Sequence, residues 1–273
     1  MRRSAKLVLA ILAAVQIYLW TNNGFAQSLN LGAAGDDPVE IFADNGIEWQ
    51  QESLVFVARG NARAVRSEVT VHGDELRAYY REKEGGGTDI WRLDALGQVR
   101  IIGTDGKAFG EKAVYDVDNG ILVLNGGDLK LVTPTDLITA EKQIEYWEKK
   151  QMAVARGNAV AVREAKRLHA DVLAAYFRED KKGESKVYRV EAFDNVRVAT
   201  ESEVATSERG VYNVESGIAT LIGSVKIIRG PNVLKGCRAE INLNTGISTL
   251  HSCDTAGRVN GLLQPGAGKA KTE

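Results

Sequence analysis

Residue types that commonly carry chemistry are scarce in this 273-residue chain, which holds two cysteines (Cys237 and Cys253) and three histidines (His72, His169 and His251). Read as a three-residue hairpin loop, Asn244-Thr245-Gly246 sets Leu243 against Ile247 and brings Cys237 opposite Cys253. An oxidising compartment then favours a disulfide between them. A two-residue loop shifts the register by one and leaves two buried thiols. Bulges absorb slips of that size, so the disulfide is the reading adopted. His251 stands near both cysteines, but one His and two Cys with no carboxylate pattern do not make a closed zinc site, and no metal is expected. His72 and His169 occupy the same place in a repeat, each before a strand, as surface residues with no nucleophile–base–orienter arrangement around them. Neither Gly-x-Ser-x-Gly nor His-Glu-x-x-His occurs. Gly266-x-Gly268-Lys269 lacks the spacing and following helix of a phosphate loop. The Asp and Glu residues alternate with apolar ones and read as a solvated face. The expectation is a protein that is not an enzyme and has no cofactor.

What positions these residues begins with the repeat. Val57-Ala58-Arg59-Gly60-Asn61-Ala62 returns as Val154-Ala155-Arg156-Gly157-Asn158-Ala159, an offset of 154 − 57 = 97. The same offset carries Tyr79-x-Arg81-Glu82 to Tyr176-x-Arg178-Glu179, Val99-Arg100 to Val196-Arg197 and Val114-Tyr115-x-Val117 to Val211-Tyr212-x-Val214, with no gap needed from Ile47 to Leu131. This is a duplication, with a first copy over 39–135 and a second over 136–232. A partial third start over 233–256 caps the stack, since terminal repeats must close an exposed edge, and 257–273 reads as a mobile tail.

Within each copy the apolar period is two. Leu54, Phe56, Ala58, Ala62 and Ala64 fall on one face of an extended strand, with Arg59, Asn61 and Arg63 on the other. Trp91, Leu93, Ala95, Val99 and Ile101 repeat the pattern, as do Tyr188, Val190, Ala192, Val196 and Val198, while Leu76, Ala78 and Tyr80 match Leu173, Ala175 and Phe177. One apolar and one wet face point to antiparallel sheets around a core. Asp118-Asn119-Gly120, Glu215-Ser216-Gly217 and Asn244-Thr245-Gly246 fit three-residue hairpin loops with a left-handed glycine third. Ala165 to Arg178 is rich in helix formers, but its counterpart Glu68 to Arg81 carries Val-Thr-Val and a glycine, so both are read as strands.

Arg2, Arg3 and Lys6 precede an apolar run from Leu7 to Trp20, followed by small residues at Gly24 and Ala26. This pattern is that of a secretory signal over 1–26, cleaved after Ala26. The alternative is a retained anchor, though the run falls short of the roughly 20 residues that span a bilayer. Removing three basic residues leaves 35 − 3 = 32 Lys and Arg against 36 Asp and Glu. Such a balance excludes a nucleic-acid binder held mainly by phosphate contacts.

The signal, the repeated Ile-x-Ala-(Asp/Glu) stretches at Ile41 and Ile138, the Gly-Asn-Ala strands, Ala-Tyr-Tyr and the Val-Tyr-Asp-x-x-x-Gly turn together resemble the OstA/LptA-like periplasmic lipopolysaccharide-transport proteins. The likeness runs from about Val39 to Leu250. It implies an open antiparallel β-jellyroll whose trough shields lipid A acyl chains. It also implies partners in the lipopolysaccharide export machinery and end-to-end self-association through edge strands. Trough candidates are Leu54, Phe56, Ala58, Ala62, Leu76, Ala78, Trp91, Leu93, Val99 and Tyr115, with Leu173, Phe177, Tyr188, Val190, Val196 and Tyr212 in the second copy. The small inner residues are read as leaving room for acyl chains. Arg59, Arg63, Arg100, Arg156 and Arg197 are candidates for a rim meeting the lipid's phosphates. The alternative role is a membrane-anchored docking module that binds other jellyrolls rather than lipid.

Overall fold

Alternating β-branched and small residues, broken at short intervals by glycine-bearing turns, give a chain of strands. The computed structural model describes residues 39–83, 85–104, 106–179, 185–242, 244–245, 247–253 and 258–263. The expected signal and the phosphate-loop-like glycines lie outside the described residues. The first copy forms β1 (Glu40–Phe42), β2 (Ile47–Gln50), β3 (Val55–Arg66), β4 (Val69–Glu82), β5 (Thr88–Gly103), β6 (Gly106–Asp116), β7 (Ile121–Asn125) and β8 (Lys130–Val132). The second forms β9 (Leu137–Thr139), β10 (Gln143–Trp147), β11 (Met152–Arg163), β12 (Lys166–Glu179), β13 (Ser185–Ala199), β14 (Glu203–Asn213) and β15 (Ile218–Arg229). Then β16 (Asn232–Asn242), β17 (Ile247–His251) and β18 (Asn260–Leu262) end the stack. The helix-prone stretch after Ala165 is strand β12, as expected. Neighbouring strands pair antiparallel in one continuous sheet. Short strands share a long partner: β1 and β2 lie on β3, β7 and β8 on β6, and β9 and β10 on β11. The copies join where β7 pairs β10 and β8 pairs β9.

Every long strand breaks register near its middle, for example between Arg59 and Ala62, Leu96 and Val99, Arg156 and Ala159, and Phe193 and Val196. On alternate strands the break holds two successive left-handed residues: Gly60-Asn61, Gly97-Gln98, Gly157-Asn158, Asp194-Asn195 and Gly223-Ser224. Such a pair forms a bulge that bends the strand, and glycine or a short polar residue bears it at least cost. Aligned across the stack, the bulges make a crease that folds the sheet into two walls. The first wall holds the strand halves ending at turns such as 83–87, and the second those ending at turns such as 67–68. Arg66, at the far end of β3's second wall, acts electrostatically on Tyr115 of β6's first wall, and Arg163 acts likewise on Tyr212. Partners at opposite ends of strands three rungs apart come within reach only because the walls face each other.

The core lies between the walls. Ala62, Ala159 and Ala170 beside the crease are fully buried, and Ala58 and Ala95 nearly so. Their small size lets the walls approach closely at the apex. The expected role of these alanines, leaving room, is therefore corrected: there they close the fold.

Three local readings also change. Asp116 pairs Ile121, Asn213 pairs Ile218 and Asn242 pairs Ile247, so these hairpins have four-residue loops rather than three. In each, the side chain of Asp116, Asn213 or Asn242 accepts a backbone N–H three residues on, at 3.0 to 3.1 Å. That register sets Cys237 opposite Ser252, and the disulfide reaches diagonally to Cys253 with Cα atoms 4.8 Å apart. Finally, Lys107 pairs Val132 whereas Val204 pairs Ile228, so β8 and the end of β15 match at an offset of 228 − 132 = 96. The loop from β7 to β8 carries one residue more than its second-copy counterpart.

The outer face of the first wall is tied by ion pairs. Asp94, Glu145 and Glu191 are buried there, roofed by Arg92, Arg156 and Arg189. Burial works against the charge on Glu145. Hydrogen bonds from Arg156 (2.5 Å), Gln143 (2.5 Å) and Trp147 (2.7 Å) outweigh it and hold its carboxyl below the usual range. A lowered folded-state pKa contributes stability that is present at neutral pH and lost as pH falls through that value. Glu145→Gln should therefore cost roughly 1–3 kcal/mol at pH 7, the scale of hydrogen bonds to charged groups. Its deficit against the native chain should shrink below about pH 4, as read by urea denaturation across pH. The crease makes a second prediction. At Gly157 (φ +82°) an added Cβ meets the backbone nitrogen of Lys142 at 3.0 Å, whereas at Gly230 (φ +54°) it meets nothing within 4 Å. Gly230→Ala should lose roughly 1–2 kcal/mol for left-handed backbone alone, and thermal denaturation should show Gly157→Ala losing more.

Candidate functional site

The inner face is built by side chains of one parity on each strand, re-phased at the crease. Phe56, Ala58 and Ala62 of β3, Leu76 and Ala78 of β4, Leu93 and Val99 of β5, and Tyr115 of β6 lie on it. So do Leu173 and Phe177 of β12, Val190 and Val196 of β13, and Tyr212 of β14. Leu54 leaves the alternation: it sits in the turn before β3 with φ +50°, and its carbonyl accepts the N–H of Tyr80 at 3.0 Å.

Trp91 and Tyr188 do not belong to the inner row. Register shifts between Tyr79 and Tyr80 and between Tyr176 and Phe177 make each of them a bulge residue, with Ile90 and Val187 taking the inner position. The extra residue re-aims the ring outward. Trp91 packs on Tyr79 at 6.0 Å and Tyr188 on Tyr176 at 6.4 Å, with Arg92 and Arg189 over the Tyr79 and Tyr176 rings.

The five arginines expected at a rim lie elsewhere. Arg59 and Arg156 are on the outer face of the first wall, paired to Glu48 and Glu75 and to Glu145. Arg63, Arg100 and Arg197 are on the outer face of the second wall beside the crease, where Arg63 and Arg100 flank His72 and Arg197 pairs His169. Both histidines are mid-strand and half-buried rather than before a strand. Arg66 and Arg163 are the inner-face arginines at the free margin, two residues beyond Ala64 and Ala161. Continuing the parity of Ala62 and Ala64 by one step finds them. Arg163 is held by Asp136 in the turn between β8 and β9, with Nε 2.6 Å from Oδ1.

Near this margin stand buried phenols. Burial, then the hydrogen bond to Glu148 at 2.9 Å, raises the Tyr115 hydroxyl, and burial pushes Tyr146 up to about 12. Both phenols therefore keep their protons at neutral pH. Among the described residues no group of three or more His, Cys, Asp or Glu could hold a metal, and no helix is long and apolar enough to cross a membrane.

The starts of the two copies differ in one respect. Ile144 and Tyr146 on β10 are 7% and 8% exposed beneath β7, whereas their equivalents Ile47 and Trp49 on β2 are 52% and 59% exposed. Trp49 stacks on Phe56 at 5.3 Å, Phe56 meets Tyr80 at 5.1 Å, and the Trp49 Nε1–H donates to the Tyr80 hydroxyl at 2.7 Å. An aromatic shelf, continuous with the inner face, thus stands open to solvent. Composition alone marks these residues as core. Their exposure depends on which rung comes last.

Comparison with known proteins gives the context. A model of the LptA/(LptD N-terminal domain) LPS transport protein family matches twice, over residues 40–143 and 137–247. An uncharacterized protein of Rhizobium meliloti (strain 1021) is 26% identical over 128 residues, 45% of this chain and 68% of that protein. Among solved structures, LptH, the LptA-homologous periplasmic component of the lipopolysaccharide transport device of Pseudomonas aeruginosa, aligns with 18% identity and a TM-score of 0.41. That alignment covers 48% of this chain and 95% of LptH. With an internal duplication and two family matches spanning most of its length, this chain belongs to the LptA/LptD N-terminal-domain family of lipopolysaccharide transport proteins.

Proposed function

We propose that this protein is a periplasmic carrier that shields the acyl chains of lipopolysaccharide on the inner face of its folded sheet during passage between the membranes. The observation that carries this reading is the open first end, where Ile47, Trp49 and Phe56 present the apolar inner face to solvent. Each methylene buried against such a surface contributes about 0.8 kcal/mol. Arg66 and Arg163 at the margin of the same face have the chemistry to meet phosphates. In this reading chains join end to end, β17 and β18 of one adding to β1 and β2 of the next. The β7–β10 and β8–β9 seam within the chain is the template. The expected signal peptide fits export.

Photocrosslinking in cells tests the reading, with a reactive amino acid placed in turn at Phe56, Leu93, Val190 and the outward Arg92. Lipopolysaccharide adducts are expected at the first three positions and not at Arg92. Protein–protein adducts without any lipid adduct would replace the carrier with a docking module.

A further inference from the structure

Strands β12 to β18 carry two unlike outer faces. On the first wall the cations stand beside carboxylates, with Arg189 and Arg209 paired to Glu191 and Arg238 to Glu240. On the second wall they do not. Its outer side chains form two cross-strand rows, separated by the inward-facing Leu168, Val198, Ala205, Ile227 and Leu234. In the row nearer the crease, His169 pairs Arg197, Arg197 pairs Thr206, Thr206 pairs Lys226, Lys226 pairs Lys235 and Lys235 pairs Asn260. In the row nearer the margin, Arg167, Ala199, Val204, Ile228, Val233 and Leu262 are joined rung by rung in the same way. Neither row contains an Asp or a Glu.

Arg167, Arg197, Lys226 and Lys235 are exposed, and among the described residues none of them enters a hydrogen bond or an ion pair. The crease carboxylates Asp171 and Glu208 are bonded instead by Asn195 at 2.9 Å and Ser224 at 2.7 Å. Like charges directly opposite each other destabilise a sheet, so Lys226 against Lys235 works against folding. A local conflict of this kind is expected at a functional surface. The first copy has none at the matching rung: Lys130, which takes the place of Lys226, pairs neutral Thr139 and is bonded to Asp128 at 2.9 Å. The apolar row ends in open side chains, with Leu262 55% exposed and its neighbours Val259 and Leu263 47% and 68% exposed. With rungs about 4.8 Å apart, the five steps from β12 to β18 extend over about 24 Å.

A row of cations beside a row of aliphatic side chains matches a surface that is anionic outside and apolar just beneath. We propose that the outer second-wall face of β12–β18 docks the protein on a bilayer containing anionic phospholipid. The cations meet head-group phosphates, and Leu262 with its neighbour Leu263 enters the acyl boundary. This face is turned away from the inner acyl-chain path, so the proposal does not rest on the carrier role.

Sedimentation with sucrose-loaded vesicles tests it, with phosphatidylcholine alone compared against equal parts of phosphatidylglycerol and phosphatidylcholine, and with every variant carrying the same N-terminus. The protein is expected to bind the mixed vesicles at least tenfold more tightly. Raising the salt from about 0.1 M to about 1 M, which shortens the screening length from about 10 Å to about 3 Å, should release it. Arg197→Ser combined with Lys226→Ser and Lys235→Ser should weaken binding at least tenfold, and Leu262→Asp at least threefold. A charge-matched triple at the ends of first-wall strands, Lys83→Ser with Lys149→Ser and Lys150→Ser, should change it less than twofold. All six cations are exposed, so both triples should keep the native melting temperature. Equal binding to the two vesicle types, equal losses in the two triples, or no binding to mixed vesicles overturns the proposal, the last leaving the row to an acidic protein partner. Lipopolysaccharide crosslinking at Phe56 in the Arg197, Lys226 and Lys235 triple reads the carrier role separately.

Discussion

Two successive residues in the left-handed region cannot continue a flat strand, and the rest of this molecule depends on that constraint. Gly60-Asn61, Gly97-Gln98, Gly157-Asn158, Asp194-Asn195 and Gly223-Ser224 bend their strands at the same level, so one long sheet closes on itself along a line. Folding there hides one face and exposes the other. It brings Arg66 toward Tyr115 and Arg163 toward Tyr212, and it requires alanine at the apex, where Ala62, Ala159 and Ala170 lose all contact with solvent. A jellyroll built this way needs no separate second sheet.

The same geometry makes the protein extensible. Each rung buries its inner residues only when another rung lies over it. The join between β7 and β10 shows a completed rung, and β2 shows an incomplete one. Duplication therefore adds length without changing the cross-section. Ion pairs such as Arg156–Glu145 and Arg92–Asp94 hold the outer face of the first wall, leaving the inner face free of fixed charge except at its margin. Their contribution is local: they close off carboxylates lying between apolar cross-strand neighbours, as Glu145 lies between Val123 and Val154.

Much of this was legible in the sequence, because a period of two is a direct record of which side chains face inward. Phe56, Leu76, Leu93, Leu173 and Val196 were placed by alternation and lie on the inner face. Alternation fails where a residue is inserted. Trp91 and Tyr188 each sit one bulge away from Leu93 and Val190, and a single extra residue turns the ring to the other side. The bulge pairs are themselves half visible: Gly-Asn repeats at Gly60 and Gly157, but Asp194-Asn195 uses no glycine at all. The rim arginines were misplaced for a different reason. Arg59 and Arg63 flank the crease, not the margin, and a list of strands without their bend cannot tell the two apart. The polar contacts outside the crease were invisible for the same reason, since only the fold brings Asn158 and the carbonyl of Asn195 to His169.

The claim that the open first end of the inner face receives acyl chains is tested most directly by tryptophan quenching with lipids brominated along their acyl chains. Two single-tryptophan proteins suffice, one retaining Trp49 on the inner shelf and one retaining Trp91 on the outer face, with the other tryptophans replaced by phenylalanine. The folded-sheet account predicts strong quenching and a blue shift of Trp49 with little change at Trp91. Equal quenching of the two, or none at Trp49, would contradict it.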